Sequence, residues 1–536
     1  MLSTLRSRFP LGSAWTRAFS FSSSLLPDDL VPAPEDHAPK TGTVRSAGGR
    51  DTLGRRLLAL IFPKRSAVVV LRKWAEEGKY IQKYQLNRVV RELRKYKRYK
   101  HALEFGLDCE YHSAILMQIC EWMTTQPHIK LLPGDYAVHL DLVAKVRGLA
   151  SAEKFFEDLP VRMKGQSTCT ALLHTYVQNG LSDKAESLME EMSTHDLLKC
   201  PLPYNHMLEL YISKGELTKV PDLLKDLKKN TSPDEITFNL WLSAFAKKND
   251  VVGAEKLLHQ MVKDRITPDW VTYSTLANMY IKASDQEKAK EALMNMEKKV
   301  FKKDRAAYCS LISLHTSLSD KEDIYRIWEK MKVSFRKLSD VEYRCMLSSL
   351  TKLGDIDEAE SIYREWETVS TTRDSRLPNI LLAVYIKNDM LGKSEKFLKH
   401  IIETGVKPSY STWELFAWGN LNKNRMDKVL DCLKKALSSL EKWDPNVELV
   451  KAVFSKMESM GNIEDAEKFL VMLRGAGYVT TEIYNSLLRT YEKAGRMPLI
   501  VAERMKKDNI EMDEETQRLL KLTSNFCIGE VSTIMS

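Results

Sequence analysis

Hydrogen-bonding side chains recur along this 536-residue chain at an interval of about 35 residues. The segments Ile236–Asn239 and Val271–Ser274 are 35 residues apart, and each follows a Pro-Asp pair. An asparagine amide offers both a donor and an acceptor, whereas an aspartate carboxylate only accepts. A row of such groups, one in each repeat, suits the recognition of single-stranded bases one at a time.

Other chemistry is poorly supported by the spacing of the reactive residues. The 8 cysteines include no C-x-x-C pair, which argues against a zinc ribbon, a thioredoxin-like redox motif and a disulfide scaffold. The 11 histidines form no H-E-x-x-H pattern, and the H-x-E and P-C-x-x-C motifs of a zinc deaminase do not occur. The sequence also has no P-loop and no Gly-rich dinucleotide fingerprint. We therefore expect no catalytic residues, no metal site and no cofactor.

The residues around the recurring polar positions have the period of paired amphipathic helices. In residues 235–269, the apolar residues from Phe238 to Phe245 are spaced i, i+3, i+4 and i+7, which places them on one helical face. A polar break at 247–250 precedes a second apolar run. Pro268 ends this run because a proline disfavours helical structure in the residue before it, and Asp269 is a good N-cap for the next helix. The pattern therefore predicts two helices in each repeat. Small residues recur early in the second helix and glycines at the turn before it: Ala185, Ala254, Ala289, Ala359 and Ser394, and Gly180, Gly215 and Gly354.

One such helix pair cannot bury both of its faces, whereas stacked pairs bury a continuous core. We therefore predict an all-α fold, an α-solenoid of tandem helix-turn-helix repeats whose concave surface is lined by the first helix of each pair. Apolar runs such as residues 57–62 are far shorter than the roughly 20 residues that span a bilayer. No membrane insertion is expected.

The repeat resembles the pentatricopeptide repeat over residues 166–409. The similar features are the 35-residue period, an aromatic fourth residue, a leucine at the seventh, an alanine at the twentieth, a methionine at the twenty-seventh and the closing Pro-Asp. A tetratricopeptide repeat would need 34 residues and a glycine at the eighth position, where this chain has larger residues. The resemblance is to plant mitochondrial members of the P class, and it implies a right-handed superhelix that binds single-stranded RNA.

The resemblance also implies which side chains read the bases: the fifth and the last residue of each repeat, which we call a reading pair. The pairs here are Asn205 with Asp234, Asn239 with Asp269, Ser274 with Asp304, and Asn379 with Ser409, and the second residues Leu202, Ile236 and Val271 would pack against base planes. Family precedent implies uridine for Asn/Asp, guanosine for Ser/Asp and cytidine for Asn/Ser, with the RNA running 5′ to 3′ along the chain. Repeats that start at 201, 235 and 270 would then read U-U-G.

Several repeats depart from this code, which argues against a long RNA footprint. Their pairs are Thr170/Cys200, Cys309/Ser339, Arg344/Asp374 and Glu414/Asp444. Asp234, Asp269 and Asp304 are also well placed as helix N-caps, and this structural function stands beside base contact as an alternative.

The net charge of +9 is concentrated near the N-terminus, because residues 51–100 hold 15 Lys and Arg against four Asp and Glu. Arg91, Arg94, Lys95 and Arg98 would contact RNA phosphates, and the alternative is a solvated helix face. About fourteen residues, 105–118, are inserted relative to the family. They are either a real loop or the result of a mis-spliced gene model.

The remaining boundaries follow from composition. Residues 1–26 contain no acidic residue and carry Arg6, Arg8 and Arg17, which is typical of a mitochondrial transit peptide, with a plastid address as the alternative. Residues 27–53 predict a disordered linker. The other predicted segments are a basic helical cap at 54–132, the core array at 133–409, degenerate repeats at 410–515 and a tail at 516–536.

The sequence thus predicts a monomeric, non-catalytic protein of the mitochondrial matrix that binds single-stranded organellar RNA selectively. It would support transcript stabilisation, splicing, processing or translation, with RNA-processing or ribosomal proteins as further partners. The alternative is a protein-interaction scaffold, for example a mitoribosome-associated subunit, which the near-neutral charge of the repeats favours.

Overall fold

The computed structural model of the protein describes residues 52–58, 66–100, 107–126, 128–300, 304–370, 375–439, 446–498, 500–524 and 526, with side chains except at 58 and 92–114. Regular structure within these ranges consists of 27 α-helices and one short 3-10 turn, without a strand, so the predicted all-α class is confirmed. No helix in the described ranges is both long and apolar enough to cross a bilayer. The described residues fall into two compact units, which divide between Leu318 and Ser319.

Four helices begin the N-terminal unit: α1 (Leu53–Leu58), α2 (Ala67–Glu76), α3 (Lys83–Lys100) and α4 (Leu107–Thr125). Most of the predicted insertion at 105–118 belongs to α4. Ile115, Leu116 and Met117 are buried, and the Gln118 side chain accepts a hydrogen bond from the backbone nitrogen of Ala67 at 2.9 Å. From residue 107 onward the insertion is therefore helical and not a loop, and residues 115–117 are packed into the core.

Helix pairs follow in the same unit. They are α5 (Pro133–Arg147) with α6 (Leu149–Glu157), α7 (Gln166–Gln178) with α8 (Ser182–Thr194), α9 (Leu202–Lys214) with α10 (Val220–Asn230), α11 (Glu235–Lys248) with α12 (Val251–Lys263), α13 (Trp270–Lys282) with α14 (Gln286–Lys299), and α15 (Arg305–Ser317). In the pairs that begin with α5, α7, α9, α11 and α13, the first helix contacts its own second helix and the next first helix. The first helices α5, α7, α9, α11, α13 and α15 therefore form one continuous layer, as expected for a solenoid.

The C-terminal unit repeats this arrangement. Its helices are α16 (Lys321–Ser334), α17 (Asp340–Leu353) with α18 (Ile356–Val369), α19 (Arg376–Lys387) with α20 (Leu391–Glu403), α21 (Tyr410–Asn422) with α22 (Met426–Ser438), α23 (Val447–Met460) with α24 (Ile463–Gly475), α25 (Thr481–Ala494) with α26 (Val501–Lys507), and α27 (Glu514–Thr523). The first helices α17, α19, α21, α23, α25 and α27 contact one another in sequence and form the corresponding layer.

Small residues let the two helices of a pair approach closely. Ala185, Ala254, Ala289, Ala359 and Ser394 are all fully buried, as the sequence predicts. At the turn between the helices, Gly215 has φ 79° and Asn249 has φ 54°, a left-handed conformation that glycine and asparagine adopt most readily. The repeats therefore share one turn geometry although their turn residues differ.

The predicted segments at the two ends of the chain differ in how much of them the structure describes. The boundary at 516 falls within α27, whose Thr516 and Leu519 are fully buried and which contacts α25, so the packed helices continue through Thr523. The predicted transit peptide at 1–26, and the predicted linker at 27–53 apart from its last two residues, lie outside the described residues.

Candidate nucleic-acid interface

The aspartates of the first two predicted reading pairs are helix N-caps. Asp234 caps α11: its carboxylate oxygen Oδ1 accepts from the backbone nitrogen of Thr237 at 2.8 Å, and the Thr237 hydroxyl accepts from the backbone nitrogen of Asp234 at 3.2 Å. Asp269 caps α13 through Thr272 in the same way, at 2.8 Å and 3.3 Å. The capping function that the sequence left open is therefore present.

Asn205 joins the first of these caps from the preceding repeat. Its Nδ2 donates to Oδ1 of Asp234 at 3.1 Å, and its Oδ1 accepts from the Thr237 hydroxyl at 2.8 Å. An asparagine amide has two N–H groups and two acceptor positions, so one of each remains for a ligand. The bonds to Asp234 all use Oδ1. Its second carboxylate oxygen is left as an additional acceptor.

The next repeat reproduces this geometry. Asn239 Nδ2 donates to Asp269 Oδ1 at 3.2 Å, and the Thr272 hydroxyl donates to Asn239 Oδ1 at 2.7 Å. Asn239 is 5% exposed, so little of this residue is accessible to a ligand. The structure thus brings together both predicted Asn/Asp pairs, in consecutive repeats of one unit.

The third predicted pair, Ser274 with Asp304, is not joined by a direct hydrogen bond. The Ser274 hydroxyl bonds to the Ser310 hydroxyl at 2.9 Å, and Asp304 caps α15 by accepting from the backbone nitrogen of Ala307 at 3.2 Å. Serine is shorter than asparagine, and Ala307 has no hydroxyl where the two preceding caps have threonine. This pair therefore lacks the bonded geometry of its neighbours.

In the C-terminal unit, Asn379 and Ser409 form a weaker version of the same arrangement. Asn379 Nδ2 lies 3.4 Å from the Ser409 hydroxyl, and Asn379 Oδ1 accepts from the Thr412 hydroxyl at 2.8 Å. The backbone nitrogen of Ser409 donates to the Thr412 hydroxyl at 3.0 Å. The structure describes all four predicted reading pairs, and a direct hydrogen bond joins the two residues in three of them.

Sequence reasoning missed a further pair near the end of the chain. Asn485 Nδ2 donates to both carboxylate oxygens of Asp513 at 3.1 Å, and the Thr516 hydroxyl donates to Asn485 Oδ1 at 2.6 Å. The segment Ile483-Tyr484-Asn485 carried the signal, because it matches the repeat, but the expected spacing to the last residue is 29 or 30 and here it is 28. A search for Asp-x-x-Thr after each asparagine would have found the pair.

Apolar residues flank the reading pairs. Leu202, Ile236 and Val271 are half-buried and lie one helical turn before the fifth residue of their repeats, so each shares a helix face with it. Part of each side chain stays accessible beside the polar edge. This is the arrangement expected for residues that pack against a base plane.

Acidic groups shape the electrostatics near these pairs. Partial burial, together with the neighbouring carboxylates of Asp269 and Asp234, raises the pKa of Glu235 to about 7. Burial also raises the pKa of Glu209, on α9, to about 7. Both groups change charge near neutral pH, and each negative charge would oppose a phosphate backbone.

The predicted phosphate-binding segment is described in part. Arg91 is exposed on α3, and Tyr84 and Arg88 share its helix face, with Tyr84 63% exposed. Tyr80, just before the helix, is 70% exposed and lies against the His128 ring at 5.9 Å. The side chains of Arg94, Lys95 and Arg98 lie outside the described residues. An accessible aromatic and basic face thus extends from the start of α3 to Arg91.

Known protein families contain the same repeat. The pattern described as the PPR repeat family matches residues 233–282, and the PPR repeat pattern matches residues 167–197 and 343–368. A mitochondrial pentatricopeptide repeat-containing protein of Arabidopsis thaliana is 63% identical over 501 residues, which cover 94% of this chain and 91% of the relative. The chain belongs to the pentatricopeptide repeat family. A second mitochondrial member from the same plant is 34% identical over 448 residues, covering 83% of this chain and 88% of the relative. These relatives confirm the predicted mitochondrial location, whereas the matrix assignment stays a prediction.

Solved structures of the family show a more distant similarity. The crystal structure of the pentatricopeptide repeat protein PPR10 from maize is 17% identical, covers 87% of this chain and 74% of that chain, and gives a TM-score of 0.47. PPR10 in complex with an 18-nt psaJ RNA element gives a TM-score of 0.48 at 17% identity, over 85% of this chain and 73% of that chain.

Proposed function

We propose that this pentatricopeptide repeat protein binds single-stranded RNA in mitochondria and distinguishes individual bases without catalysing a reaction. The observation that supports this best is the repetition of one hydrogen-bonded asparagine–aspartate pair at Asn205/Asp234 and Asn239/Asp269. A helix cap alone requires the aspartate and the threonine. The asparagine adds a donor and an acceptor, which a cap does not need and a base can use.

The chemistry of the pair favours uracil. The free acceptor of Asn239 can receive the uracil N3–H, and its free N–H can donate to a uracil carbonyl. Cytosine carries an acceptor at N3, and the carboxylate of Asp269 nearby would repel it because a carboxylate has no proton to donate. Where a serine replaces the aspartate, as at Ser409, the hydroxyl can donate to that acceptor. The implied uridine and cytidine preferences therefore have a physical basis in these residues.

Packing and phosphate contacts would supply the remaining affinity. Leu202, Ile236 and Val271 would pack against successive base planes, and Arg91 with its neighbours on α3 would contact phosphates. Packing of a base plane against an apolar side chain tolerates different sequences, because every base has an apolar face. Selectivity would then come from the reading pairs, and a moderate part of the affinity would depend on salt.

A binding experiment tests this proposal. The full-length protein is titrated onto single-stranded RNA that contains U-U-G and onto scrambled RNA of the same composition, at two salt concentrations. We expect tighter binding to U-U-G at both, with weaker binding overall at the higher salt. Absent or sequence-independent binding would contradict RNA reading and favour a protein-interaction scaffold. Crosslinking of bound RNA in isolated mitochondria would then identify the transcript and the step that it supports.

A further inference from the structure

A threonine from the following repeat completes each bonded reading pair. Thr237 donates its hydroxyl proton to Asn205 Oδ1 at 2.8 Å, and Thr272 donates to Asn239 Oδ1 at 2.7 Å. Thr412 does the same for Asn379 and Thr516 for Asn485, at 2.8 Å and 2.6 Å. The contact therefore recurs in both compact units, wherever the described residues place an asparagine at the fifth position beside a capped helix.

The Thr237 hydroxyl lies between two acceptors, Asn205 Oδ1 and Asp234 Oδ1. The hydroxyl oxygen already accepts from the backbone nitrogen of Asp234 at 3.2 Å. Asp234 Oδ1 lies 2.7 Å from the same hydroxyl, but it also receives the backbone N–H of Thr237 and the side-chain N–H of Asn205. Asn205 Oδ1 receives no other hydrogen bond from the described residues, so the Thr237 hydroxyl is its one donor among them. Because Thr237 is fully buried and Asn205 is 4% exposed, water competes little for this bond.

We propose that Thr237 and Thr272 are positioning residues for base recognition, an inference that rests on the proposed RNA-reading function. Each threonine holds the amide of the preceding repeat with its oxygen toward the hydroxyl and its nitrogen toward the aspartate. The free N–H and the free acceptor then face the base in a fixed order. A reading element is therefore three side chains from two repeats, not two side chains from one.

The chain contains a natural comparison. Ala307 occupies the threonine position after the Ser274/Asp304 pair, and there the Ser274 hydroxyl turns to Ser310 instead of to the cap. Without a hydroxyl from the following repeat, the fifth residue is not tied to the last residue. The pair before Ala307 should accordingly select its base less strictly than the two pairs before Thr237 and Thr272.

The experiment compares Thr237→Val, which keeps the shape and removes the hydroxyl, with Thr237→Ser, which keeps the hydroxyl. The readout is the ratio of affinities for RNA with uridine or cytidine at the single nucleotide assigned to Asn205. A ratio does not depend on the fraction of folded protein. Thr175→Val is the matched control, because the Thr175 hydroxyl is buried and bonds only within α7, to the backbone oxygen of Ala171 at 3.0 Å.

We expect Thr237→Val to reduce the uridine-to-cytidine ratio about fivefold, the effect of one neutral hydrogen bond. Thr237→Ser and Thr175→Val should keep the wild-type ratio. If the wild-type protein prefers uridine and Thr237→Val has the same uridine-to-cytidine ratio, the positioning role is overturned. If the wild-type protein binds no RNA, the proposed function fails, and the inference is decided by the side-chain amide signal of ¹⁵N-labelled Asn205. That signal should shift in Thr237→Val, and an unchanged signal would overturn the inference.

Discussion

Asn485 donates to both carboxylate oxygens of Asp513 at 3.1 Å, across 28 residues of chain and far from the most regular repeats. The backbone N–H of Thr516, followed by its hydroxyl and the Asn485 amide, lowers the pKa of Asp513 below the usual range of aspartate. Asp513 therefore remains an ionised acceptor under mildly acidic conditions. An asparagine–aspartate pair with the same hydrogen bonds is thus formed in a part of the chain where the 35-residue period is lost, and here the asparagine is fully buried.

Removal of this amide should affect only RNA that reaches the end of the array. Asn485→Ala is expected to weaken binding of an oligonucleotide that extends 3′ of the U-U-G core, by about 1 kcal/mol. Binding of a short U-U-G oligonucleotide should not change, because the RNA is expected to run 5′ to 3′ along the chain. Fluorescence anisotropy with the two lengths separates these cases. Equal losses on both lengths would assign Asn485 to folding.

Asn239 should contribute to choice at one base. Asn239→Ala is expected to weaken U-U-G binding by about 1 kcal/mol and to relax selection at the middle nucleotide. The control is Asn420→Ala, since the buried Asn420 amide donates only within its own helix, to the backbone oxygen of Phe416 at 2.9 Å. Competition binding with each base at the middle position measures the effect. Unchanged selectivity in Asn239→Ala would remove this residue from the interface.

Acidification should strengthen RNA binding because it removes the negative charge of Glu235, which opposes the RNA phosphates. Its pKa is raised to about 7 by partial burial and by Asp269, so the side chain is mostly neutral at pH 6 and mostly charged at pH 8. RNA affinity should therefore rise about two- to threefold as the pH falls across this range, since one exposed charge is worth at most about 1 kcal/mol. Glu235→Gln should abolish this part of the pH dependence, whereas Glu209→Gln tests the second group with a pKa near 7. Equal pH profiles for wild type and Glu235→Gln would contradict the assignment.

The same pKa predicts a trend in stability. A carboxyl group whose pKa is higher in the folded than in the unfolded protein stabilises the fold when protonated, and this contribution is lost as the pH rises through about 7. Thermal unfolding of Glu235→Gln should therefore be less sensitive than wild type between pH 6 and pH 8.

Stability between repeats should depend on tyrosine–glutamate contacts. The Tyr385 hydroxyl donates to Glu360 Oε1 at 2.8 Å, where Lys393 also donates. Tyr363 offers a matched control: both tyrosines are 2% exposed and pack edge-on against Phe397, but the buried Tyr363 hydroxyl has no hydrogen-bond partner among the described residues. Tyr385→Phe should lower the free energy of unfolding by about 1 kcal/mol, and Tyr363→Phe should be neutral or stabilising. Denaturant unfolding measures both, and equal effects would contradict this account.

Much of the fold could be predicted from the sequence, because local rules determine it. Proline followed by aspartate marks the start of α11 and of α13, and small residues such as Ala254 mark close helix contacts. The period fails where the repeats change length. The cap of α23 is Asn446, two residues after Asp444, which the regular spacing selects and which lies outside the described residues.

The site was less predictable than the fold. The identity of Asn205 and Asp234 follows from their positions in the repeat, but the bond between them and the contribution of Thr237 depend on how one repeat packs on the next. The failure of Ser274 to reach Asp304 has the same origin, since side-chain length and the residue at 307 decide it. The repeat period and the composition do not predict hydrogen bonds between side chains that are 29 to 33 residues apart in the sequence.

The most direct test of base reading is the substitution Asp269→Ser. Serine is also a good N-cap, so α13 should form normally, and the new Asn/Ser pair would match the natural pair Asn379/Ser409. The measurement is the relative affinity of wild type and variant for RNA containing U-U-G or U-C-G. We predict that wild type prefers U-U-G and that the variant prefers U-C-G. A folded variant that still prefers U-U-G, or that loses affinity for both equally, would contradict it.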